Sequence, residues 1–140
     1  MEKIRILIAD DFKLLRDVMR LHLERSKDME VVDEAPDLQD ALECASRLQP
    51  DVILMNDYLP PIDSAHAAAL FRERGFTAAI LVLSMQTDAD LIERSFRSGV
   101  NGYMHKGEID KYLVEAIRTV HHGGRYLSPA AEKPKGGVHT

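Results

Sequence analysis

Asp10-Asp11, Asn56-Asp57, Ser84 and Lys106 are the residues of this 140-residue chain whose types could together do chemistry. Adjacent carboxylates repel each other unless a hard cation sits between them, and an oxygen-rich setting of that kind suits Mg²⁺. A lysine and a hydroxyl beside such an ion could hold the equatorial oxygens of a phosphoryl group. The chemistry is then phosphoryl transfer, provided that four separate pieces of sequence meet. Taken singly, each has a plain structural reading. Asp10-Asp11 could cap a helix and favour its dipole, Ser84 could close a turn, and Lys106 could be a solvated surface lysine.

The elements between these pieces supply the meeting point. Ile4 to Ala9 is a short β-branched run of the kind buried on both faces of a parallel sheet, and Asp10 follows it. Leu14, Leu15, Val18, Met19, Leu21 and His22 then recur with helical spacing to about Arg25. The alternation repeats. Met29 to Ala35 reads as a strand, and Leu38, Ala41, Leu42, Ala45 and Leu48 follow on a helical stripe capped at Pro36-Asp37. Val52 to Met55 is a third strand, and Pro60-Pro61 forces a loop before the Ala-rich helix from Ser64 to Arg74. Ile80 to Leu83 and Gly102 to His105 are further strands. The helix after the former is capped near Asp88 and stops at Gly99; the helix after the latter starts near Asp110 and ends at Gly123-Gly124. Five βα units predict an α/β fold, a five-stranded parallel sheet with helices on both faces, and ligands at the carboxyl ends of the strands. All four chemical pieces lie at such ends.

Composition narrows the class. The length suits one domain, and 45% hydrophobic with 29% charged residues is ordinary for a soluble globular chain. A net charge of −5 repels a phosphate backbone, which predicts poor DNA binding by this segment itself. Six apolar residues before the first aspartates are too few for a signal peptide or a membrane span, so a cytoplasmic location is expected. The single Cys44 has no thiol partner and reads as helix packing. His121-His122 near a helix end reads as favouring its dipole, and His105 as structural. The domain is expected to span residues 1–126, with residues 127–140 as a linker or tail.

Ile6 to Asp11, Asp51 to Asn56 leading to Pro60, Ser84, and Gly102 to Lys106 together resemble the receiver domains of two-component response regulators. The stretch from Ala116 to Pro129 is similar to the LuxR/NarL/FixJ subgroup, in which a helix-turn-helix DNA-binding domain follows. The resemblance implies the doubly wound, flavodoxin-like (βα)5 fold with strand order 2-1-3-4-5. It implies a phosphorelay role in transcription regulation rather than an enzyme of its own, with a sensor histidine kinase docking near the first helix. A homodimer through the fourth or fifth helix would be the usual readout, and DNA would be reached only through a C-terminal domain absent from these residues. Carried over by position, Asp10 and Asp11 form the acidic Mg²⁺ site, with the backbone carbonyl of Tyr58 as a further ligand. Ser84 is the switch hydroxyl, Tyr103 the aromatic that rotates on activation, and Lys106 the phosphate-binding lysine. Gly107 stands where many receivers have proline.

One departure governs the function. The acceptor aspartate of the family lies four residues before the loop proline, and four before Pro60 is Asn56. An amide offers no free carboxylate oxygen to attack phosphorus, so the chain is expected not to be phosphorylated and to hold Mg²⁺ more weakly. Asp57 is expected to point away from the metal pocket, because successive strand side chains face opposite ways. Asn56 is either an introduced, nearly isosteric block or the mark of a receiver that works without phosphate as a protein-interaction module. A haloacid-dehalogenase-like phosphotransferase fits less well, since Asp10-Asp11-Phe12-Lys13-Leu14 does not follow that family's Asp-x-Asp-x-Thr pattern.

Overall fold

A computed structural model describes residues 2–132 of the chain. Its strands are β1 (Ile4–Ala9), β2 (Met29–Ala35), β3 (Val52–Asn56), β4 (Tyr58–Leu59), β5 (Ile62–Asp63), β6 (Ala79–Ser84), β7 (Gly102–His105) and β8 (Tyr126–Leu127). Its helices are α1 (Lys13–Glu24), α2 (Leu38–Leu48), α3 (Ser64–Glu73), α4 (Ala89–Arg97), α5 (Ile109–His121) and α6 (Pro129–Glu132), with a 3₁₀ turn at Lys106–Glu108.

The main sheet runs β2-β1-β3-β6-β7-β8, and every pairing in it is parallel. The five expected strands take the expected order. The correction is a sixth strand, β8, at the β7 edge, and a separate antiparallel hairpin, β4–β5, around the cis Pro60–Pro61 bond. None of these three two-residue strands is long enough to carry a periodicity that sequence could reveal. Leu127 therefore belongs to the sheet, and Pro129–Glu132 form a helical turn whose Ala131 is buried. The rest of the expected tail, residues 133–140, lies outside the described residues.

Strand alternation divides the core into two layers. Leu7, Ala9, Ile53, Met55, Ile80, Val82 and Tyr103 pack under α2, α3 and α4. Ile6, Ile8, Val52, Leu54, Leu81, Leu83 and Met104 pack under α1 and α5. Both sets are apolar because both faces of a parallel sheet are covered. This parity fixes where each strand end points: Asp10, Asn56 and Lys106 continue the α1/α5 parity, whereas Asp57 and Ser84 continue the parity of Tyr103.

The caps expected at Asp37 and Asp88 form, and Asp63 adds one that the sequence reading did not single out. Asp37, Asp63 and Asp88 each accept a backbone N–H from the first turn of α2, α3 and α4 respectively. Helix α1 differs from expectation. Its apolar residues form two stripes, and only one can face the sheet: Met19 and Leu23 are buried, while Leu14, Val18 and Leu21 are exposed.

Candidate functional site

The carboxyl end of β1 places Asp10 at the centre of the sheet edge, with 1% of its surface exposed. Its Oδ1 accepts the N–H of Phe12 at 2.8 Å, and its Oδ2 meets the Lys106 Nζ at 3.1 Å. These two residues stand 96 positions apart in the chain, and both side chains of the pair are nearly sealed from water. The helix-capping role that an isolated Asp-Asp could have is not realised, since α1 has no side-chain cap; what Asp10 makes instead is a turn contact to the amide of Phe12, the residue before the helix. It is combined with an ion pair that only the fold can assemble.

Asn56 closes β3 beside this pair. Its Nδ2 donates to the Tyr58 carbonyl at 2.8 Å and reaches the exposed Asp11 Oδ1 at 3.4 Å. The amide orientation is chemically determined, because the flipped group would set its oxygen against the Tyr58 carbonyl and the Asp11 carboxylate. Asn56 thus joins Asp11 and the Tyr58 carbonyl by hydrogen bonds, next to Asp10 at the end of β1. Hard oxygen donors from two carboxylates, a carbonyl and a turned amide oxygen fit Mg²⁺ in kind. They supply one carboxylate fewer than three, and among the described residues no group of three His, Cys, Asp or Glu side chains is placed to hold a metal ion.

The hydroxyl half of the site is arranged differently. Ser84 is fully buried; its Oγ donates to Asp57 Oδ2 at 2.7 Å and accepts the Gln86 N–H at 2.9 Å. Asp57 does point away from the Asn56 side, as alternation predicts, but it points at Ser84. Sequence reasoning missed this contact. The signal becomes readable once β3 and β6 are known to be neighbours: Asn56 pairs with Leu83, so Asp57 and Ser84 are the next residues side by side. Tyr103 shares their face and is fully buried. Its hydroxyl lies near Ser84 yet makes no hydrogen bond of normal geometry, and burial, with the charge of Asp57 nearby, pushes its pKa up to about 12.

His105 and His122 make local contacts. His105 Nδ1 accepts the Gly107 N–H at 2.8 Å, and His122 Nδ1 lies 2.8 Å from the Arg118 carbonyl. Cys44 packs on the sheet within 3.4 Å of Asp33 Oδ2, and its thiol pKa is pushed to about 11, chiefly by burial. No helix among the described residues is long and apolar enough to cross a membrane.

With this geometry in view, comparison with known proteins gives a consistent answer. Residues 6–118 match the response regulator receiver domain family. The oxygen regulatory protein NreC of Staphylococcus carnosus is 36% identical over 126 residues, covering 89% of this chain and 58% of that protein. The transcriptional regulatory protein DegU of Brevibacillus brevis is 32% identical over 127 residues, covering 91% of this chain and 54% of that protein. The chain thus spans a little over half the length of these curated relatives. Among solved structures, a LuxR-family two-component response regulator from Aurantimonas sp. superposes with a TM-score of 0.89 at 28% identity, covering 95% of both chains. The signal receiver domain of the putative response regulator NarL from Mycobacterium tuberculosis gives a TM-score of 0.83 at 28% identity, covering 88% of this chain and 99% of that one. The chain belongs to the response regulator receiver domain family, in its NarL/LuxR-type branch.

Proposed function

We propose that this chain is a phosphorelay receiver whose acceptor position, Asn56, cannot be phosphorylated, so that it stands in the unphosphorylated state. The observation that supports the reading is the placement of Asn56. It sits between Asp11 and Tyr58 and beside the Asp10–Lys106 pair, and it presents an amide nitrogen where a nucleophilic carboxylate would be required. The rest of the machinery has the right chemistry. Lys106 supplies a positive charge for a phosphoryl oxygen, and Asp10, Asp11 and the Tyr58 carbonyl would hold Mg²⁺. When bound, that ion would offset the negative charge of the reacting group. Here the amide N–H of Asn56 already occupies two of the oxygen ligands, so Mg²⁺ is held weakly.

The upstream partner is a sensor histidine kinase, and the exposed Leu14, Val18 and Leu21 stripe of α1 offers it an apolar helical face. The relatives are transcriptional and oxygen regulatory proteins by name, which supports transcription as the output, through a DNA-binding domain beyond these residues and a dimer formed at α4 or α5. The domain works in the cytoplasm and is not itself an enzyme. Beryllofluoride, a phosphoryl mimic that attaches to a carboxylate, tests the reading. With Mg²⁺ it should produce saturable amide shifts in Asn56→Asp and none in the unaltered chain.

A second reading, a phosphate-independent interaction module, draws on one observation: Asn56, Lys106 and Ser84 each already have an internal partner. Partner binding that is identical for the unaltered chain and for Asn56→Asp carrying beryllofluoride would favour it.

A further inference from the structure

We propose that Asp57 is a positioning residue that holds the switch hydroxyl of Ser84 away from the acceptor site. The inference deepens the receiver reading and rests on it for its consequence, though not for the contact itself.

A serine hydroxyl has one hydrogen to donate. In this chain Ser84 gives it to the Asp57 carboxylate at 2.7 Å, a charge-assisted bond, while the oxygen accepts the Gln86 N–H at 2.9 Å. A phosphoryl oxygen at position 56 would need that same hydrogen, so the two acceptors exclude each other. Asp57 is itself anchored through its backbone: its N–H donates to the Leu83 carbonyl at 3.1 Å, and its carbonyl accepts the Ser64 N–H at 2.7 Å. The carboxylate is thus presented from a fixed stem, and strand parity directs it to the Ser84 face.

A second observation lies on the same face. The buried Tyr103 hydroxyl has no hydrogen-bond partner among the described residues and lies close enough to feel the Asp57 charge. When Ser84 releases Asp57, the carboxylate loses its side-chain donor, and the Tyr103 phenol is a buried donor on the same face. Asp57 therefore links the state of Ser84 to that of Tyr103: it is occupied by Ser84 in this structure and open to Tyr103 when Ser84 turns to a phosphoryl group.

Two measurements test the role. In the chain as it stands, the Ser84 β-proton couplings should report one rotamer, which becomes averaged in Asp57→Ala, with Asp57→Asn between them. Averaged couplings in the unaltered chain, or a fixed rotamer in both variants, would overturn the contact. In the Asn56→Asp background, adding Asp57→Ala should tighten beryllofluoride binding roughly tenfold, and the gain should vanish when Ser84→Ala is also present. An unchanged affinity would overturn the role. So would a gain that survives Ser84→Ala, because simple charge repulsion would then explain it. Complete failure of Asn56→Asp to bind beryllofluoride would instead overturn the receiver reading, while the couplings still decide the contact.

Discussion

The Asp10–Lys106 pair shows what one side chain can hold in place. With 2% and 9% of their side-chain surfaces exposed, each charge depends on the other for the solvation it has lost. Lys106→Ala should therefore destabilise the fold by roughly 3 kcal/mol in urea denaturation, because Asp10 is left buried and unpaired. Adding Asp10→Asn to Lys106→Ala should recover most of that loss, because no buried charge is then left unpaired. Asn56 makes the opposite case. Restoring a carboxylate adds like charge to Asp10 and Asp11, so Asn56→Asp should lower stability without metal and bind Mg²⁺ on the order of tenfold tighter by calorimetry. Equal affinities would contradict this. The charged half of the site was legible from residue types at strand ends. The Asp57–Ser84 contact was not, because it depends on which strands are neighbours and on their register, and no residue type announces either.

At the level of elements, Arg72 ties α3 to the two loops that flank β6 and β7. Its guanidinium donates to the carbonyls of Gly99, Phe76 and Ala78 and to Asn101 Oδ1, at distances from 2.8 to 3.2 Å. Its hydrogen bonds are all to neutral oxygens, and burial lowers its pKa. Arg72→Met leaves several carbonyls without donors and should cost about 2 kcal/mol or more in chemical denaturation. Gly99 carries φ of +111°, and a Cβ there would lie 2.6 Å from the Arg72 Cγ, so Gly99→Ala should weaken the same junction. Sequence marked Gly99 as a helix stop, but no pattern singled out Arg72 within its Ala-rich helix. The long strands and capped helices were readable because each carries a full period of pattern. The hairpin β4–β5 and strand β8 are two residues each, and the two apolar stripes of α1 gave no hint which one the sheet would take.

For the molecule as a whole, two buried tyrosines set an alkaline limit. Tyr103 and Tyr126 both have pKa values pushed to about 12, chiefly by burial, against an ordinary value near 10. A folded pKa above the unfolded one means the stabilising contribution is complete below about pH 10 and is lost as pH rises towards about 12. Denaturation midpoints should fall over that window, and Tyr103→Phe with Tyr126→Phe should flatten the fall. A slope unchanged by the double substitution would count against it. At this scale the proposal is that the assembled receiver domain has no nucleophile at its acceptor position, Asn56. Intact-mass spectrometry after incubation with acetyl phosphate and Mg²⁺ tests it most directly. The account predicts a single phosphoryl adduct on Asn56→Asp and none on the unaltered chain; an adduct on the unaltered chain, or none on Asn56→Asp, would contradict it.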